Sequence, residues 1–99
     1  MCMRVDRRYS GKGQRVYVAY KIFHWYDANP QLYGQFYSFE FRRKYWNVAR
    51  RPGFHAYKSQ REAEREARGS YFASVRKVYL RGLFGVSKTH YTARYLWVN

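Results

Sequence analysis

Several stretches of the chain alternate side chains with the two-residue period of a β-strand. They are rich in β-branched and aromatic residues, which favour strands. The predicted strands are Arg15–Trp25, Gln35–Phe41, Phe72–Arg81 and His90–Val98. The first of them is apolar on both faces, which indicates a strand in the middle of a sheet.

Turn-forming residues separate these strands. The cluster Asp27–Pro30, with Gly34 closing the loop, predicts that the first two strands form a hairpin. Gly82 and Gly85 predict a turn after the third strand.

The middle of the chain contains shorter elements. Residues 42–51 fit either a short strand or one helical turn, and residues 51–53 form a break. Phe54–Tyr57 fits a short strand that leads into a helix over Ser59–Arg68. Ser59 and Glu62 have the spacing of a capping box, in which each side chain bonds a free amide of the first turn.

The apolar side of the predicted helix consists of small side chains. Ala63 and Ala67 form its only apolar stripe, so the helix must approach its sheet closely, and Gly69 stands where a left-handed C-cap belongs. One helix among strands predicts an α+β fold, with a twisted, mostly antiparallel sheet of four to five strands and the helix packed on one face. We expect a flexible basic N-terminal arm over residues 1–14 and a single domain over residues 15–99.

The charge of the chain is strongly unbalanced. It has 20 Lys and Arg residues against six Asp and Glu residues, a formal net charge of +14, and 22% aromatic residues. Three of the six acids, Glu62, Glu64 and Glu66, lie in the predicted helix, so the positive field belongs to the sheet and loops. Such a field attracts polyanions, and flat rings give bases a surface on which to stack.

Basic and aromatic residues are interleaved in the strands and loops. A small sheet with one helix cannot bury all the rings, and exposed aromatic residues that adjoin one another usually mark an interface. The predicted binding residues are Arg42, Arg43, Lys44, Tyr45, Trp46, Arg50, Arg51, Arg76, Lys77, Tyr79, Arg81 and Arg94.

Catalytic and metal-binding signatures are absent from the sequence. The three histidines, His24, His55 and His90, lie far apart, and the lone Cys2 is terminal, so neither a metal nor a cofactor is predicted. A histidine pair can cleave RNA without metal, one as base and one as acid, which leaves a small basic ribonuclease using His24 or His55 as an open alternative. No apolar run reaches the ~20 residues that span a bilayer, and the single cysteine fits a cytoplasmic protein.

Residues 53–69 and 75–82, together with Val18–Phe23 and the closing segment Tyr91–Tyr95, resemble small proteins of phages and prophages. These carry a Gly-Phe-His-Ala strand, a short helix with paired alanines and a Tyr-x-Ala-Arg-Tyr strand. The resemblance implies a mobile-element product of the anti-CRISPR or anti-defence kind.

The sequence thus leaves three functions open. The first prediction is a non-enzymatic inhibitor that binds a host ribonucleoprotein defence complex through its basic and aromatic surface. The second is a protein that binds single-stranded RNA or DNA directly, and the third is the ribonuclease. A homodimer is also expected, because aromatic edge strands such as residues 91–97 are prone to pairing.

Overall fold

The computed structural model describes residues 7–24, 32–34, 40–69 and 73–99. Within these ranges the chain forms one helix and eight strands. In chain order they are β1 Arg7–Arg8, β2 Tyr17–His24, β3 Leu32–Gly34, β4 Glu40–Phe41, β5 Trp46–Val48, β6 Phe54–Tyr57, α1 Gln60–Ala67, β7 Ala73–Val86 and β8 His90–Val98.

All the strand pairs among the described residues are antiparallel, and the pairings of four strands form a closed ring. β2 pairs with β7, β7 with β8, and β8 with β6, and β6 returns to β2 through Tyr57 and Tyr20. β1 extends the sheet from β7, β5 lies beside β8, and β3 and β4 continue from β2. The α+β class and the antiparallel sheet are confirmed, but the predicted strand number is too low because β1, β3 and β5 are two or three residues long.

The largest apolar cluster lies on one face of the β2, β7 and β8 pairings, which we call the core face. Cross-strand partners share a face of a sheet, so the register brings Ala19 against Val78 and Leu80 against Leu96, all four of them fully buried. The ring of Phe41 lies 5.0 Å from that of Phe23 and covers this cluster.

The helix covers part of the opposite face, which we call the helix face. Ala63 is fully buried against Ile22 and Tyr57, and Ala67 packs beside it, as the alanine stripe predicts. At these two positions only a methyl side chain lies between the helix backbone and the sheet. The close approach of helix and sheet is therefore built into two alanines.

Two local predictions at the helix ends have different outcomes. Gly69 has a φ of +83°, which confirms the left-handed position after the helix. The capping box is wrong, because the side chain of Ser59 makes no capping hydrogen bond. The carbonyl of Ser59 accepts the first backbone hydrogen bond of the helix from the amide of Ala63, so the backbone of Ser59 begins the helix without a side-chain cap.

The predicted turn at Gly82 and Gly85 is also wrong, since β7 continues through both residues to Val86. The pairing of β7 with β8 shifts between Leu83 and Gly85, and this β-bulge absorbs the irregularity that the glycines signal. Gly82 has a φ of +69°, and a Cβ there would lie 2.6 Å from the carbonyl oxygen of Gly11. Glycine is required here for a close chain crossing inside a strand.

Residues 7–11, within the predicted N-terminal arm, lie along this part of β7. Arg7 and Arg8 form β1, and the amides of Tyr9 and Gly11 donate to the carbonyls of Phe84 and Leu83 at 2.8 and 3.0 Å. The flexibility of the arm stays a prediction, and residues 1–6 lie outside the described ranges.

The predicted hairpin after β2 is only partly described. The turn at Asp27–Pro30 and residues 35–39 lie outside the described ranges. Gly34 does not close a loop, because it ends β3 and pairs with Phe23, so β3 is the strand beside β2. Residues 40 and 41 of the predicted second strand form β4, which pairs with β3.

We expect Ala63→Leu to lower the free energy of unfolding by about 1–3 kcal/mol, because the longer side chain overpacks the contact between helix and sheet. Arg61→Leu adds the same side chain at an exposed position of the same helix and serves as the control. Urea unfolding measures both. Equal effects of the two substitutions would contradict the close packing of Ala63.

Candidate nucleic-acid interface

A row of large side chains crosses four strands on the helix face. The register pairs Val18 with Tyr79, Tyr79 with Trp97, and Trp97 with Trp46. Because paired residues share a face, the four side chains form one continuous row. The rings of Tyr79 and Trp97 are in contact, with 5.9 Å between their centroids.

A second row lies two residues along the strands and contains a cation between two rings. Arg81 pairs with Tyr95, and Tyr95 pairs with Val48. The guanidinium of Arg81 lies 4.5 Å from the ring centroid of Tyr95 and 4.8 Å from that of Trp46. This stacking orients the guanidinium and links the two rows.

The two rows and the adjacent lysine make one surface, which we call the aromatic platform. Lys77 lies two residues before Tyr79 on the same face, with its Nζ 5.8 Å from the tyrosine ring centroid. The members of the platform are Val18, Trp46, Val48, Lys77, Tyr79, Arg81, Tyr95 and Trp97.

No described element covers the aromatic platform. The cluster under α1 holds side chains of β2, β6 and β7 but none of β5 or β8. Val18 and Val48, at opposite ends of the platform, are 46% and 56% exposed, and the four rings between them are half-buried. Apolar residues left in contact with solvent over four neighbouring strands form a patch of the kind that binds a partner.

The platform cations have no anionic partner among the described side chains. The Nε of Arg81 is buried without a hydrogen-bond partner. The carboxylate side chains that the structure describes are those of Glu62, Glu64 and Glu66, which belong to the helix, whereas the side chain of Glu40 in β4 lies outside the description. Arg81 and Lys77 therefore present positive charge beside half-buried rings, an arrangement suited to an aromatic polyanion.

The 42–45 turn adjoins the platform at Trp46 and carries four of the predicted binding residues. Asn47 holds the turn, since its Oδ1 accepts from the amide of Arg42 at 2.9 Å and its Nδ2 donates to the carbonyl of Leu96 at 3.1 Å. The guanidinium of Arg42 lies 5.4 Å from the ring centroid of Tyr45, and Tyr45 is 51% exposed. Arg43 and Lys44 are exposed as well.

The other predicted binding residues lie elsewhere. Arg94 precedes Tyr95 and therefore faces the opposite side of β8. Its guanidinium and that of Arg51 lie 5.2 and 4.6 Å from the ring centroid of Phe84. Arg50 is exposed, and Arg76 is on the opposite face of β7 from Lys77.

Four of the twelve predicted residues are thus members of the platform, namely Trp46, Lys77, Tyr79 and Arg81. The prediction missed Tyr95 and Trp97, although the alternation in the last strand places both on one face. It also missed Val18 and Val48. What links these residues to Trp46 and Tyr79 is the strand register, which the sequence does not give.

The described histidines are packed into the fold. His90 is buried, with its Nδ1 2.6 Å from the Thr89 hydroxyl and its ring 4.2 Å from that of Tyr57. Burial lowers the pKa of His90, and burial together with Lys21 lowers the pKa of His55. The side chain of His24 lies outside the described residues, so the ribonuclease stays a prediction.

Lys21 is a half-buried cation on the core face. Its ammonium donates a 2.7 Å hydrogen bond to the backbone carbonyl of His55 and lies 5.7 Å from the ring centroid of Phe41. Burial lowers the pKa of Lys21 to about 8. The lysine is therefore held in a desolvated setting that disfavours its charge.

Comparisons with protein families, with curated proteins and with solved structures find no match for this chain. The described residues contain no group of three or more side chains that could hold a metal ion. None of the described helices is long and apolar enough to cross a membrane.

We expect the stability of the protein to rise with pH through Lys21. The folded-state pKa is about 8, below the 10.5 of an unperturbed lysine, so the unfolded chain binds more protons between these values. The unfolding free energy of the wild type relative to Lys21→Met should therefore increase from about pH 8 to pH 10.5 and be constant below that window. Urea unfolding at several pH values measures this difference, and a difference that stays flat through the window would contradict the burial of the ammonium.

Proposed function

We propose that the protein binds single-stranded nucleic acid on the aromatic platform. The observation that carries this proposal is the uncovered row of Tyr79, Trp97 and Trp46, with the guanidinium of Arg81 stacked between Trp46 and Tyr95. Bases would stack on the rings, and phosphates would contact Arg81, Lys77 and the 42–45 turn. Base stacking of this kind contributes about 1–3 kcal/mol per base and tolerates any sequence.

The shape of the platform favours single strands over duplexes. Ring faces are available only to bases that are not already stacked in a helix, and recognition in a duplex groove takes a projecting helix or ribbon. The platform is a sheet surface whose aromatic side chains pack against one another and against Arg81. It suits unpaired bases, with little dependence on their order.

The predicted anti-CRISPR-like inhibitor, which would bind a host ribonucleoprotein, stays a prediction. The two functions differ in what they require of naked nucleic acid. A direct binder retains unrelated oligonucleotides at physiological salt, whereas an inhibitor ignores them and binds one effector complex tightly.

We expect Trp46→Ala to weaken binding of an unstructured single-stranded oligonucleotide by at least roughly fivefold, since one stacking surface and one face of the Arg81 site are lost. Fluorescence anisotropy with labelled RNA and DNA of unrelated sequence measures the affinity. Tyr9→Ala removes another exposed tyrosine, away from the platform, and should bind as the wild type does. If the wild type binds no oligonucleotide, or the two variants lose affinity equally, the platform is not the binding site.

We expect Lys77→Ala to reduce the salt dependence of binding. Loss of one phosphate contact to a single strand lowers the slope of log K against log salt by roughly 0.7. Lys88→Ala, at an exposed position between β7 and β8, is the matched control and should keep the wild-type slope. Equal slopes for all three proteins would place the phosphates elsewhere.

A further inference from the structure

Three polar side chains lie on the core face of β2 and β7, opposite the aromatic platform. Lys21 and Arg76 are direct cross-strand partners, and Ser74 lies two residues before Arg76 on the same face, opposite Phe23. Directly paired residues have their Cβ atoms about 5 Å apart, so the side chains of Lys21 and Arg76 leave the sheet next to each other. Neither Lys21 nor Arg76 has a carboxylate as its cross-strand partner.

The hydrogen-bonding capacity of this group is largely unused. The Nε of Arg76 and the hydroxyl of Ser74 are buried without a hydrogen-bond partner. The ammonium of Lys21 has three N–H donors, and one of them reaches the carbonyl of His55. Buried polar groups are normally satisfied, so the Nε of Arg76 and the hydroxyl of Ser74 have capacity for a hydrogen bond to a bound group.

Among the described side chains, no carboxylate offsets the charge of the group. Like charges directly opposite each other in a sheet are destabilising. A third cation, Arg43, is close enough to Arg76 to lower its pKa, after the larger effect of burial, and its backbone bridges to Val98 at the end of β8. The described carboxylate side chains belong to α1, which packs on the other face of the sheet.

We propose that Lys21, Ser74 and Arg76 form a binding site for a phosphate group. A tetrahedral oxyanion supplies acceptors in several directions, which matches an ammonium, a guanidinium and a hydroxyl, and its charge offsets the repulsion between Lys21 and Arg76. The site lies on the face of β7 opposite the platform. It does not rest on the proposed binding of single strands.

Two ligands carry a phosphate group of this chemistry: a free phosphate anion and a nucleic-acid strand. The half-buried setting of Lys21 and Arg76 favours the small free anion, because a strand would have to bring its sugars and bases to the core face. Inorganic phosphate is therefore the probe for the first arm of the test. A short oligonucleotide is the probe for the second.

Thermal unfolding in rising sodium phosphate, with sodium chloride adjusted to constant ionic strength, tests the site. We expect the wild-type Tm to rise on the order of 5 °C through phosphate binding to the folded state. Arg76→Met keeps the apolar stem and removes the guanidinium, and it should lose this rise. Lys88→Met removes an exposed charge between β7 and β8 and should keep it.

A measurement on the wild type alone makes the test independent of variant folding. The ¹⁵N resonance of the Lys21 ammonium should shift on titration with phosphate and saturate, while those of the exposed Lys12 and Lys88 do not. A shift with the oligonucleotide alone would assign the site to a strand phosphate. If all lysines respond alike, or if the Tm rise is equal in Arg76→Met and Lys88→Met, the positive surface as a whole attracts phosphate and the proposal is wrong.

Discussion

β7 pairs with β2 along one edge and with β8 along the other, and the register of these two pairings places both the aromatic platform and the Lys21–Arg76 pair. Consecutive residues of a strand point to opposite faces, so Val78 and Leu80 enter the core while Tyr79 and Arg81 form the platform. A slip of one residue would exchange these roles and place a guanidinium in the apolar cluster. Burial of Val78 and Leu80 therefore positions the aromatic platform as well as the core.

The same sheet divides the positive charge of the chain between two settings. On the helix face Arg81 is stacked between rings, a setting that tolerates a guanidinium because its planar surface is weakly hydrated. On the core face Lys21 and Arg76 stand opposite each other, beside buried polar atoms without partners. The first arrangement places positive charge beside aromatic rings, and the second places two cations beside each other on the core face.

Local signals in the sequence predicted the elements that have a clear alternation or a clear helical stripe of apolar residues. The last strand has the predicted bounds, and the short strand Phe54–Tyr57 and the alanine stripe of the helix were also predicted. The glycines of β7 were harder to interpret, because a glycine with a positive φ occurs in a β-bulge as well as in a turn. At Gly82 the decisive contact is with Gly11, more than seventy residues away in the chain, and no local pattern contains it.

The sequence by itself determined the class of the fold, the sign of the field and the chemical character of the surface, since these follow from periodicity, charge and the excess of rings over available core. Tertiary structure alone decided which residues act together. Trp46, Tyr79 and Trp97 are distant in sequence and meet because their strands pair in one register, whereas Arg76 and Lys77 are neighbours in sequence and face opposite sides. The physical reason is that a strand sorts its side chains by alternation, and only pairing with other strands fixes which partners each face receives.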